Sequence, residues 1–212
     1  MVTHDRIRLT ACYGEAPRSS WTRGLFSAAP LGYAQGMPPT VEQLAASLRL
    51  APHPEGGFYR ETYRSALTLR TPRGERSAST SILFLVTAGS ISRMHRLACD
   101  ELWLHQGGLP LELVTIAPEG ELQRRVLGLL GAPRPAAGGV PAPEELPQAP
   151  APAGSWLAAR LAGGPHLPAE LAWALVACVC TPGFDFGDFE LGERERLLAA
   201  YPQHRDVVEA FT

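Results

Sequence analysis

The chain of 212 residues contains no lysine and no asparagine, and all nineteen of its basic residues are arginines. Without lysine, the chain can form neither the Schiff base of a pyridoxal enzyme nor the phosphate contact of a P-loop phosphotransferase. Without asparagine, it has no acceptor for N-linked glycosylation. Its net charge of −2 disfavours a nucleic-acid binder that relies on a basic surface.

Long apolar runs are missing as well. No run approaches the roughly 18 residues of a membrane-spanning helix, so we expect no membrane partner. Apolar residues still make up 45% of the chain, which is enough for the core of one ordinary domain. The four cysteines, Cys12, Cys99, Cys178 and Cys180, form no CxxC pair, which excludes a zinc ribbon and a thioredoxin-like motif. Few, unpaired cysteines are typical of a reducing compartment, and we expect a cytoplasmic protein.

Residues 1–38 show little periodicity, and we expect them to form a flexible N-terminal extension. An organelle transit peptide is the alternative, but Asp5 and Glu15 argue against it. Thr40 followed by Gln43 predicts a capping box at the start of a helix over 40–49. The remaining residues, 39–212, are expected to form a single domain.

Short runs rich in branched and aromatic residues predict strands through the middle of the chain. These runs are 58–63, 80–87, 101–105, 111–116, 121–127, 155–161 and 171–180. Two helices are predicted at the end, over 192–201 and 204–211. Strands at short spacing with helices only at the two ends predict an all-β barrel or sandwich with short flanking helices. Between the strands, 131–152 contains seven prolines among Ala and Gly, which predicts a surface loop.

The densest polar cluster lies within 89–108 and includes His95, Glu101 and His105. Strand alternation places Glu101, Trp103 and His105 on one face. In a small barrel, the inner face is the one that meets a ligand. The pattern therefore predicts a pocket that His95 and these three side chains can reach.

The spacing from Gly89 to His95, Glu101 and Gly108 resembles the first cupin motif, and 152–157 resembles the weaker second motif. Five segments in order resemble the uncharacterised cupin family DUF985, also called Cupin_5, over about residues 40–208. They are 53–61, 100–103, 110–113, 152–156 and 182–189. The resemblance implies a double-stranded β-helix, the cupin jelly-roll barrel, usually as a dimer with a pocket in each barrel. It implies no particular reaction.

The sequence departs from the full cupin metal motif at two of four ligand positions. His95 and Glu101 are present, but Leu97 and Leu157 stand where the resemblance implies histidines. A transition metal generally needs three or more good protein ligands, so we expect no metal cofactor. A metal-dependent enzyme that uses His95, Glu101 and His105 is an alternative.

Without a metal, His95 and Glu101 are predicted to form an acid/base pair. Tyr59 or Tyr63 would supply the opposite proton, as an epimerase-type site requires. The predicted ligand is a small polar molecule, for example a sugar-like one. The alternatives are a barrel that binds its ligand without chemistry, and a His–Glu pair that is only a relic of a metal site.

Further residues are expected to contact the ligand or a partner chain. Glu55 and Arg60 are placed at the pocket mouth or a dimer edge, and Trp103, His105 and Trp156 in the pocket wall. Arg60 and Arg64 are four apart on a strand, which predicts a shared face that could bind an anionic group. The strand over 58–63 is the predicted edge of a homodimer.

Overall fold

A computed structural model describes residues 38–128, 145–163 and 166–212. Apart from residue 38, the predicted extension over 1–38 lies outside the described residues, and so does the predicted loop as far as residue 144. The helices are α1 (Val41–Leu48), α2 (Arg194–Ala200) and α3 (Arg205–Phe211), with 3-10 turns at Ala169–Leu171, Phe186–Asp188 and Pro202–His204. The predicted capping box is present, because Thr40 Oγ1 accepts from the Gln43 N–H and the Gln43 side chain accepts from the Thr40 N–H.

The described chain is built mainly of strands. They are β1 (Ala51–Pro52), β2 (Phe58–Arg64), β3 (Thr68–Thr71), β4 (Gly74–Ser77), β5 (Thr80–Thr87), β6 (Ser92–Leu97), β7 (Asp100–Gly108), β8 (Leu111–Ile116), β9 (Leu122–Leu127), β10 (Glu145–Leu146), β11 (Gln148–Ala151), β12 (Trp156–Leu161), β13 (Trp173–Thr181) and β14 (Phe189–Leu191). The predicted all-β fold with short flanking helices is confirmed.

Two six-stranded sheets pack face to face. The first has the order β1-β2-β5-β13-β7-β11 and the second the order β10-β9-β8-β12-β6-β14, while β3 and β4 form a separate hairpin. Phe84 and Trp103 from the first sheet meet Leu113 and Leu157 from the second in the core between them. Large apolar side chains at alternate positions on facing strands produce this layer, since burial of apolar surface drives the packing.

The terminal helices cover the outer face of the second sheet. Met94 on β6 and Trp156 on β12 pack there against Val208 and Phe211 of α3. Met94 and Phe211 are fully buried in this second core. Strand β6 therefore has one face against the helices and the other towards the space between the sheets.

The end of the predicted proline-rich loop contains two short strands, β10 and β11. β11 lies at an edge of the first sheet, where it pairs with β7. Its Ala149 and Ala151 are buried, whereas Pro150 is exposed. Proline lacks the N–H that a central strand needs, so a proline-bearing strand is tolerated at an edge. The loop predicted from composition is therefore wrong for 145–146 and 148–151, which are strands.

Strand β2, the predicted dimer edge, is covered only in part. β1 pairs with its first two residues, Phe58 and Tyr59, while β5 pairs along its other side. A dimer through the rest of this edge stays a prediction. No helix among the described residues has the length and apolar character needed to cross a bilayer.

Candidate functional site

A cavity of about 310 Å³ opens between the two sheets. Its lining residues are His53, Glu55, Tyr59, Glu61, Arg64, Thr80, Ile82, Phe84, His95, Leu97, Glu101, Trp103, Cys178, Cys180, Phe184, Asp185 and Phe186. Glu55, His95, Glu101 and Trp103 are buried at the inner end, whereas Phe186 is 54% exposed at the mouth. The cavity therefore has a buried inner end and an exposed mouth.

A tight turn over 53–57 carries Glu55 into the inner end. Gly56 and Gly57 have φ of 112° and 68°, a region that favours glycine. A Cβ at Gly56 would collide with the carbonyl oxygen of Ile91. Arg93 on β6 holds the turn from outside, because its N–H donates to Glu55 O at 2.9 Å and its Nη2 donates to Pro54 O at 2.6 Å. Two glycines and one arginine thus fix the position of the Glu55 carboxylate.

Three side chains surround the Glu55 carboxylate. Its Oε2 lies 3.3 Å from His53 Nδ1 and 3.3 Å from His95 Nε2, and its Oε1 accepts from Ser92 Oγ at 2.8 Å. Ser92 and His95 are three apart on β6, yet both reach Glu55. The reason is a bulge: Leu157 of β12 pairs with His95 and Ala159 pairs with Ser92, so β6 carries one extra residue.

The orientation of the His95 ring is fixed from behind. Its Nδ1 lies 2.8 Å from the carbonyl oxygen of Arg93. Because a carbonyl oxygen only accepts, Nδ1 carries a hydrogen and donates it. The other nitrogen, Nε2, then faces Glu55 and can share a proton with that carboxylate.

The carboxyl group of Glu55 remains ionised although it is buried. Burial is the largest single influence and would by itself raise the pKa of this carboxyl group. The charge of His95, the hydrogen bond and charge of His53, and the hydrogen bond from Ser92 act in the opposite direction. Together they hold the pKa of Glu55 below its usual value.

Glu101 on β7 is the second buried carboxyl group. Burial raises its pKa to about 7, and the nearby charge of Glu55 adds to this effect. His95, the Trp103 hydrogen bond and His53 lower the pKa without cancelling the rise. Trp103 Nε1 donates to Glu101 Oε2 at 2.7 Å, while the donor that the described residues offer to Oε1 is the weak one of Cys180 Sγ at 3.9 Å. The carboxyl group therefore retains hydrogen-bonding capacity next to the cavity.

The structure places His95 and Glu101 on the same cavity but does not pair them directly. The carboxylate at His95 is that of Glu55, which the 53–57 turn brings close. Glu101 bonds instead to Trp103, its neighbour two residues along the same face of β7. The two predicted partners can therefore act on one ligand from separate positions.

Three of the remaining predicted residues lie on β2. Tyr59 lines the cavity beside His53, with ring centroids 4.6 Å apart. Arg60 is not among the lining residues, while Arg64 is. The prediction that these two arginines share a face is wrong. Glu61 pairs with Ile82 and Tyr63 with Ser81, so β2 has a bulge of one extra residue, and Arg60 and Arg64 lie on opposite faces.

Two predicted ligand contacts lie away from the cavity. The inward face of β7 does carry His105, but its Nε2 bonds to the carbonyl oxygen of Leu109 at 2.9 Å and it does not line the cavity. Trp156 packs in the second core under the helices, where Arg96 lies 4.7 Å from its ring centre. Its side chain points out of the barrel, since the register of β12 places Leu157 on the inner face.

Sequence reasoning missed several lining residues. His53 and Glu61 received no role, although strand alternation from Tyr59 would have indicated Glu61. Phe184 and Phe186 form part of the mouth. No periodic signal identifies these two, because they lie in an irregular segment before a 3-10 turn.

Ion pairs hold the mouth in place. Arg64 binds Glu61 through two hydrogen bonds of 2.9 and 2.7 Å and donates to Phe184 O at 3.2 Å. Arg76 of the β3–β4 hairpin binds Asp188 through hydrogen bonds of 2.7 and 3.1 Å. Both arginines thereby anchor the segment 184–188 that forms one side of the mouth.

The donor set does not fit the metal of a full cupin motif. Leu97 lines the cavity and Leu157 lies in the core, and neither offers a donor atom. Over the described residues, no group of three or more His, Cys, Asp or Glu side chains is arranged to hold a metal ion. His105 does not join His95 and Glu101. The absence of a metal cofactor stays a prediction.

Comparisons with known proteins agree with this architecture. A hypothetical protein from Leishmania major is 34% identical, with a TM-score of 0.69, over 82% of this chain and 98% of that one. A protein from Shewanella oneidensis is 38% identical, with a TM-score of 0.68, over the same shares of the two chains. Among curated proteins, none matches the chain.

The family model described as "Cupin superfamily (DUF985)" matches residues 42–192. This range includes every residue of the cavity lining. The resemblance inferred from the sequence motifs is confirmed, and with it the double-stranded β-helix. The chain is a member of the Cupin_5 (DUF985) family of the cupin superfamily.

Proposed function

We propose that the chain binds a small polar molecule in the barrel cavity and moves a proton on it, as an isomerase or epimerase does. One observation carries the proposal: Glu101 is buried beside the cavity and has a pKa of about 7. A carboxyl group with such a pKa exists in both protonation states near neutral pH. It can therefore accept a proton and return it, which is the requirement for a general acid/base.

The two carboxyl groups take different roles in this proposal. Glu101 exchanges the proton with the substrate, because its Oε1 retains capacity for a further hydrogen bond. His95 and the ionised Glu55 share a second proton position on the same cavity. Tyr59 lies on the wall beside His53 and supplies a hydroxyl group for the substrate oxygen. A proton removed next to a carbonyl group can thus return on either side.

Solvent deuterium exchange tests the proposal across a range of candidate substrates. The protein is incubated in D₂O with a panel of aldoses, ketoses and small hydroxy-aldehydes, and each compound is followed by mass spectrometry. Removal of a C–H proton and return of a solvent deuteron raises the mass of the compound. We expect labelling of at least one member, slowed about 10²–10⁴-fold by Glu101→Gln.

The matched control is Glu170→Gln, which alters an exposed carboxylate in the Ala169–Leu171 turn, outside the cavity. It should label at the wild-type rate. Equal labelling by wild type and Glu101→Gln would refute Glu101 as the acid/base. A compound that binds the cavity and is never labelled would favour a binding protein without chemistry.

A further inference from the structure

The charged groups that line the cavity are unequal in sign. Four carboxyl groups, Glu55, Glu61, Glu101 and Asp185, face one guanidinium group, that of Arg64. The imidazoles that line it, those of His53 and His95, both lie 3.3 Å from the Glu55 carboxylate. The Glu55 carboxylate therefore competes with an anionic ligand for any positive charge that these imidazoles carry.

The guanidinium group of the lining already has a carboxylate partner. Arg64 lies at the mouth, where its side chain is 46% exposed, and it binds Glu61 through two parallel hydrogen bonds. Its remaining contact is with the carbonyl oxygen of Phe184. An anion would have to displace a carboxylate to reach it.

Three backbone N–H groups at the mouth already have acceptors within the protein. The N–H of Gly187 donates to Asp185 Oδ1 at 2.7 Å, and the N–H of Phe184 donates to Thr80 Oγ1 at 2.9 Å. The N–H of Asp188 donates to Asp185 O at 2.9 Å. A phosphate group normally binds to free N–H groups of such a turn, and these three are already occupied.

The walls are aromatic. Phe84 and Trp103 meet edge to face with centroids 5.7 Å apart, and Tyr59 and Phe186 complete the surround. Faces of aromatic rings attract cations and pack against apolar surface, and they offer nothing to an anion. Walls of this kind and unbalanced carboxyl groups both favour the same ligands.

We propose that the cavity selects uncharged or basic organic molecules and excludes phosphorylated, nucleotide-linked and carboxylate-bearing ones. This inference rests on the proposed function, in that it takes the cavity to be the substrate site. It narrows the substrate to a free sugar, an amino sugar or a comparable small alcohol or amine, because a phosphate group would meet the carboxyl groups of Glu101 and Asp185, whereas the one lining guanidinium group already binds a carboxylate.

Three probes that differ mainly in charge test the selectivity. Benzylamine, benzyl alcohol and benzoate share one aromatic ring, and their binding is measured by ligand-observed NMR titration with the full chain. We expect benzylamine and benzyl alcohol to bind at least about tenfold more tightly than benzoate, since like charges at close range in a partly dry cavity repel strongly. Glucose and glucose 6-phosphate provide a second pair with the same expected order.

Two variants locate the effect. Glu101→Gln keeps the side-chain volume and should raise benzoate binding relative to benzylamine. Asp185→Asn should do the same at the exposed mouth, where the amide oxygen can still accept from the Gly187 N–H, and Glu170→Gln should leave the order unchanged. Equal or tighter binding of benzoate, or no binding of benzylamine at millimolar concentration, overturns the proposal. Because binding is measured without turnover, this outcome is independent of whether deuterium labelling occurs.

Discussion

Glu55 and Glu101 lie on the same cavity and are 5% and 6% exposed, yet their pKa values are displaced in opposite directions. Burial acts on both and would raise both pKa values. The difference lies in the partners. Glu55 has two imidazoles and a hydroxyl group, whereas Glu101 has one indole N–H and a distant thiol.

This contrast has its origin in the backbone. Glu55 lies on a glycine-rich turn, which side chains of other elements can approach from several directions. Glu101 lies within a regular strand, where β11 and β13 occupy the two hydrogen-bonding edges. A carboxylate in a strand meets only groups across the cavity and on its own face. Sites with an acid and a base use such differences in environment to separate two like groups.

The largest effect is expected for Glu55→Gln, which removes the charge between two buried histidines. We expect the free energy of unfolding to fall by about 4 kcal/mol, because one partner of a buried charged cluster is lost. Chemical denaturation at neutral pH measures the change. Ser92→Ala, which removes only one neutral donor, should cost clearly less. A loss no greater than that of Ser92→Ala would contradict the central position of Glu55.

The next largest effect is a pH dependence carried by Glu101. Its pKa is about 7 in the folded chain against 4.5 for the free group, so the folded state binds this proton more tightly. Protonation of Glu101 therefore favours the folded state. This contribution to the free energy of unfolding is complete at pH values below 4.5 and is lost as pH rises through about 7. The loss amounts to about 3 kcal/mol.

Glu101→Gln distinguishes the pH dependence of Glu101 from that of the surrounding histidines, Glu55 and cysteines. The variant should become more stable than the wild type as pH rises, by about the same amount. Denaturation curves of both proteins across this pH range provide the measurement. A difference that does not vary with pH would show that Glu101 has an ordinary pKa.

A smaller effect is expected for Trp103→Phe, which removes the one strong donor to Glu101. The pKa of Glu101 should rise further above about 7, because the Trp103 hydrogen bond lowers it. Stability should fall by about 2 kcal/mol through the lost hydrogen bond and the void. Carbon-detected NMR titration of the glutamate carboxyl groups reports the pKa. Trp156→Phe, in the core under the helices, should leave this pKa unchanged.

The smallest effect is expected at the mouth. Glu61→Gln removes an exposed carboxylate that pairs with Arg64, and we expect a change in unfolding free energy of less than about 1 kcal/mol. The effect should shrink further at high salt. A loss comparable to that of Glu55→Gln would mean that exposure does not separate the two ends of the cavity.

Much of the fold could be predicted from local patterns. Thr40 and Gln43 predicted the cap of α1, and the apolar run before Cys180 predicted β13. The β3–β4 hairpin was not predicted, because its exposed polar residues show no alternation. β11 was not predicted either, because proline at an edge strand and proline in a loop look alike in sequence.

The site was harder to predict than the fold. Alternation along β7 correctly grouped Glu101, Trp103 and His105 on one face, but it does not say how far along the barrel the cavity extends. Pairing of His95 with Glu55 depends on a turn 40 residues earlier and on a bulge in β6. Bulges shift the side-chain register, and the sequence carries no periodic signal for them.

Strand β6 links the carboxyl end of the chain to the chemistry of the cavity. Met94 points into the core beneath α3, and the next residue, His95, faces Glu55. Adjacent residues of a strand are coupled through the backbone, so we expect a displacement of α3 to move the imidazole as well. Substitutions in the buried face of α3 should therefore change the pKa values at the inner end of the cavity, although this helix lies on the opposite side of the sheet.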